Sequence, residues 1–215
     1  MTTTPSDVLT VAELQRLVAQ VEPAALLVPP RILRRVIKRD RGLAGPGLQV
    51  PHRKSYVVAR DRLLCFATAE ELGLEPGRQL PPTLVLLPQP DRQAPTIRDR
   101  ARTLLRYWRL LFHARVHLVF HHASNIRREL GRRIQRMGLT EFDEATAVLR
   151  QEHYLLPPGD AVTVYEEFAA VYLELRYFAP HMLPLYFPAC SQSETIDAVL
   201  AEDVDAAGLF AATRW

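Results

Sequence analysis

Four histidines crowd into one stretch of the chain, His113, His117, His121 and His122. The first three recur at intervals of four, so a helix would line them along one face. Two imidazoles one turn apart can ligate a single transition-metal ion. His121 would sit about 12 Å along the axis from His113, too far to join the same ion. A metal centre on His113 and His117 therefore needs acidic donors from another helix. Glu166, Glu167 and Glu174 are the candidates, with His153 as a further donor. Neither H-E-x-x-H nor a carboxylate-bundle E-x-x-H pattern is present. The competing interpretation is a polar stripe, because these histidines continue the row of Arg102, Arg106 and Arg109, opposite Leu104, Trp108, Leu111 and Val119.

A second constellation is basic. At about 100° per residue, the segment 31–41 separates Ile32, Leu33, Val36 and Ile37 from Arg31, Arg34, Arg35, Lys38, Arg39 and Arg41. Six cations on one face over about 15 Å could meet several phosphates. His52, Arg53 and Lys54 could extend that patch. The alternative is a solvated face partly neutralised by the acidic part of the chain. Tyr56 is the one stacking side chain nearby, which disfavours a base-stacking reader of single strands.

Arg115 stands apart, because it falls within the apolar face of the histidine-bearing segment. A buried guanidinium requires a partner. The expected partner is Glu174, with Glu167 as the alternative.

Other chemistries lack their residues. There is no G-x-S-x-G elbow. Lys54-Ser55 follows Arg53 rather than the glycine that a phosphate-binding loop needs. Cys190 and His181 are separated by a proline-rich stretch, and Cys65 and Cys190 alone make neither a disulfide framework nor a cysteine zinc site. No cofactor is expected.

The elements that must position these groups are mostly helical. Apolar periodicity predicts helices over 6–21 and 31–41, a short one around 67–72, and long ones over 97–122, 124–137, 140–153 and 160–178. Ser124, Thr140 and Asp160 are the expected caps of the last three. Strands are expected over 54–60 and 82–87. Pro180, Pro184 and Pro188 suggest an extended apolar segment, and Ser191 to Glu194 a capping box for a final helix. The proline-rich stretch 87–96 is the expected boundary between a small α+β basic module, 1–90, and an all-helical bundle, 97–215. The fold class is thus mainly α, with a small α+β module at the start.

Composition is that of a globular chain, 48% hydrophobic and 24% charged. Its charge is segregated: residues 1–137 carry 24 Lys and Arg against 11 Asp and Glu, whereas 138–215 carry 3 against 13. Such asymmetry points to an acidic partner for one part and a basic partner for the other, or to complementarity within the molecule. The start lacks the charged and apolar regions of a signal peptide, and 103–122 carries Arg106, Arg109 and Arg115, so a cytoplasmic, non-membrane protein is expected. The sequence ends without a clear stop signal, as the start of a longer polypeptide would.

Three function classes follow. The first is a non-enzymatic interaction or assembly protein acting through arginine-rich and acidic surfaces, with a protein partner or self-association. The second is a nucleic-acid-binding protein using the 31–54 patch. The third is a metal-dependent enzyme on the His113/His117 face.

Overall fold

The structure, a computed structural model, describes residues 9–43, 54–75, 77–90, 96–123, 125–156, 159–190 and 193–215. The fold is mainly helical with a small three-stranded sheet, as the periodicity indicates. By their contacts the described residues group into two compact units. One takes those of Met1–Ala44 and His52–Leu111 with Thr213–Trp215, the other those of Phe112–Ala212. This grouping and the expected division at 87–96 differ in where residues 97–111 belong.

In the first unit, helix α1 (Val11–Val21) begins where Thr10 accepts a hydrogen bond from the Glu13 N–H at 3.1 Å. Residues 6–8 of the expected helix lie outside the described residues. Strand β1 (Ala25–Val28) follows, then α2 (Pro30–Asp40), β2 (Tyr56–Ala59), α3 (Arg60–Phe66) and β3 (Thr83–Pro88). Central β3 pairs parallel with β1 and antiparallel with β2. β1 was not expected, because four buried apolar residues without alternation carry no strand period. The Gln15 side chain completes its edge, donating to Ala25 O at 3.0 Å and accepting from Leu27 N at 2.7 Å. Ile32, Leu33, Val36 and Ile37 of α2 are buried, as the amphipathic pattern predicts.

The helix expected at 67–72 is a turn instead, and α3 occupies 60–66. Thr68 and Glu71 exchange side-chain and backbone hydrogen bonds (3.1 and 3.2 Å), which closes a single turn only.

Helix α4 spans Ile97–His122, within the predicted bounds. The second unit takes its last eleven residues together with α5 (Ile126–Met137), α6 (Leu139–Gln151), α7 (Ala161–Phe178), α8 (Leu183–Tyr186), α9 (Ser193–Ala201) and α10 (Ala206–Ala212). Asp160 caps α7 as predicted, accepting from Thr163 N at 2.9 Å. That bond holds its carboxyl below the ordinary range. α6 begins directly after Gly138, whose φ of 102° makes the junction, so Thr140 lies inside the helix rather than capping it. The 180–188 segment is not extended: Pro180–Met182 forms a 3-10 turn leading into α8. Prolines in a first helical turn are tolerated because their missing N–H has no helical partner there. Ser124 and Ser191 lie outside the described residues.

Candidate metal centre

The second unit buries an aromatic core that sets α4 against α7. Phe112 meets Tyr177 with ring centroids 5.5 Å apart, and Phe120 meets Tyr165 at 5.9 Å. Numbers rise along α4 as they fall along α7, so the two helices run antiparallel. This register brings His113 opposite Glu174 and His117 opposite Glu167.

The four groups form a compact cluster. His113 Nε2 lies 3.2 Å from His117 Nε2 and 3.6 Å from Glu167 Oε1, and His117 Nε2 lies 3.5 Å from Glu167 Oε2. These three residues each offer one donor atom, all within 4.8 Å of one another. Behind them, His113 Nδ1 lies 3.1 Å from Glu174 Oε2. The site is sheltered: side-chain exposure is 6% for His113, 12% for Glu167 and 21% for His117.

A tetrahedral ion with nitrogen and oxygen bonds of zinc length keeps its donors about 3.3–3.5 Å apart. An octahedral magnesium ion would draw adjacent ligands to about 2.9 Å and would favour oxygen. The donor set, two imidazoles and a carboxylate, suits zinc and neighbouring transition metals. Three protein ligands leave a position for water, as in catalytic rather than structural zinc sites.

Among the other histidines, His121 and His122 are exposed and meet edge to face, with ring centroids 5.4 Å apart. His153 is exposed, in a left-handed conformation (φ 57°). Arg115 is partly buried and engaged by its surroundings, and its pairing with Glu174 stays a proposal. Cys190 is not poised as a nucleophile. Burial first, then the Glu141 and Glu144 charges, push its thiol up to about 11.

The basic residues divide into two groups. On α2, Arg31, Arg34 and Arg39 are exposed and make no ion pair among the described residues. Arg35 pairs with Glu71 at 2.5 Å, and Arg41 lies 6.0 Å from the Tyr56 ring centroid. Lys38 is partly buried, and Lys54 is engaged. His52 and Arg53 lie outside the described residues. On α5 the exposed arginines pair with acidic side chains, most of them from the acidic third of the chain. Arg127 meets Asp160, Arg132 meets Glu129 and Glu202, and Arg136 meets Glu202.

Arg133 is 4% exposed. It grips Asp203 through two hydrogen bonds, 3.1 and 3.0 Å, and also pairs with Glu202. Tyr165 donates to the same Asp203 at 2.8 Å. The helical period alone did not distinguish Arg133 from its solvated neighbours, although its spacing of three from Leu130 and four from Met137 sets it on their face.

No helix of the described residues is long and apolar enough to cross a membrane. No protein-family model, curated protein or solved structure matches the chain, so the cluster's own geometry carries the functional reading.

Proposed function

We propose that this protein binds one divalent transition-metal ion, zinc foremost, through His113, His117 and Glu167. The observation that carries this reading is the convergence of three metal-binding side chains: the two Nε2 atoms lie 3.2 Å apart, the Glu167 carboxylate reaches His113 Nε2 through Oε1 at 3.6 Å and His117 Nε2 through Oε2 at 3.5 Å, and one donor atom from each residue falls within 4.8 Å of the others. A fourth position held by water would give the centre hydrolytic capacity. Zinc lowers the pKa of its bound water toward neutrality and polarises carbonyl or phosphoryl oxygens.

The test is metal uptake by the full chain. Chelator-stripped protein, dialysed against zinc and passed through a desalting column, should retain about one ion per chain by elemental analysis. His113→Ala/His117→Ala should retain none. Wild-type protein that takes up no stoichiometric zinc, cobalt or manganese would dispose of the reading.

A second reading belongs to α2. Its exposed Arg31, Arg34 and Arg39 support contact with a phosphate backbone or another polyanion. Binding to mixed-sequence DNA or RNA should then weaken steeply with salt, and replacing all three arginines with Gln should flatten that dependence. The third reading, an assembly protein using paired charged surfaces, draws less support from the second unit, where Glu202 and Asp203 already engage the α5 arginines.

A further inference from the structure

We infer that Glu174 is the positioning residue of this centre. It holds His113 in the one tautomer that can bind the ion, so that His113 is a ready-made ligand and His117 is not. The inference rests on the metal reading above and adds an order to how its two imidazoles are prepared.

An ionised carboxylate accepts hydrogen bonds and cannot donate them. The 3.1 Å contact between His113 Nδ1 and Glu174 Oε2 therefore places the proton on Nδ1. His113 Nε2 is left with its lone pair facing the cluster. That is the arrangement of carboxylate–histidine–metal sites, where the outer carboxylate fixes ring orientation and raises ligand basicity.

The consequence for His117 follows from the next distance. Its Nε2 lies 3.2 Å from the bare Nε2 of His113. The contact has hydrogen-bond length, and with His113 Nε2 bare the donor in the metal-free protein is His117, from Nε2. When the ion enters, that proton must leave Nε2. His117 takes one up at Nδ1 from water and remains neutral, and no net proton is consumed. Glu174 also contributes charge balance: with Glu167 it offsets the two positive charges of the ion in a site where His113 and Glu167 are nearly buried. A neutral outer residue would hold the ring but leave one of the ion's two charges uncompensated.

Two measurements test this on the full chain. Cobalt and zinc affinities are read by competition with a chromogenic chelator, and the cobalt visible spectrum reports coordination. Glu174→Gln should bind 10- to 100-fold more weakly, the range seen when such outer partners are removed, while the shape of its cobalt spectrum is unchanged. Glu174→Asp keeps the charge one methylene further away and should recover part of the loss. Wild-type protein is also read by long-range proton–nitrogen NMR of its histidine rings. His113 should show the Nδ1–H tautomer both with and without zinc, and His117 should lose its Nε2–H on zinc addition. Affinity of Glu174→Gln within twofold of wild type, or an Nε2–H tautomer at His113, would overturn the role of Glu174 while leaving the metal site standing. Absence of metal uptake by wild type would instead remove the metal reading itself. The NMR measurement decides the matter even if neither variant folds.

Discussion

Replacing Arg133 with Met should unfold the second unit at a markedly lower temperature. The Arg133 side chain is 5% exposed and makes two hydrogen bonds to Asp203, whose side chain is 9% exposed, and one to Glu202. Without it, Asp203 keeps only the Tyr165 hydroxyl among its described partners and stays buried with an uncompensated charge. Breaking a buried pair by removing one partner costs about 3–5 kcal/mol. For a chain of this size, each kcal/mol moves Tm by about 2–4 °C. The fall should thus be about 6–20 °C, read by calorimetry at neutral pH. Arg133→Met/Asp203→Leu removes both charges, so it should recover part of the loss, because a buried ion pair and an apolar pair of similar volume are nearly equivalent while the Tyr165 hydroxyl loses its acceptor. A single variant that melts within 2 °C of wild type (about 1 kcal/mol at most), or a double variant that melts as low as the single one, would refute the argument that desolvated charge governs this network.

Other expectations follow from particular contacts. Tyr107 is fully buried, and its hydroxyl donates to the Pro88 carbonyl; Tyr107→Phe leaves that carbonyl unpaired and should cost about 1–3 kcal/mol in urea unfolding. The Arg35 guanidinium first, and the Thr68 N–H second, hold the Glu71 carboxyl down to about 2. Because the folded value lies below the unfolded one of about 4.3, this contribution is present above that pH and is lost as pH falls towards 2. Glu71→Gln should therefore have a shallower acid limb between pH 5 and pH 2 in a stability-versus-pH series. Cys65 is exposed while burial pushes the Cys190 thiol up to about 11, so Ellman's reagent at pH 8 should find one fast and one slow thiol. Equal rates would contradict the burial of Cys190.

Much of this molecule is written locally. The bounds of α4, the cap of α7 at Asp160 and the two faces of α2 follow from residue spacing, because a helix advances by a constant rotation and one turn separates i from i+4. For the same reason the sequence could set His113 and His117 side by side. It could not choose among Glu166, Glu167 and Glu174 as their partners, since that depends on the sliding register of α7 along α4. Aromatic contacts such as Phe112–Tyr177 and Phe120–Tyr165 settle the register, and with it Glu167 meets both imidazoles while Glu174 stands behind His113. Charge was legible as a total but not as a pairing. Arg133 and Asp203 are 70 residues apart, and nothing in the neighbourhood of either announces the other. β1 was hidden for a related reason: a strand buried on both sides has no alternation to read, and its identity comes from a neighbour, β3, some sixty residues away. Periodicity reports which side of an element is apolar; long-range packing determines what that side meets, and the chemistry proposed here lies in the second.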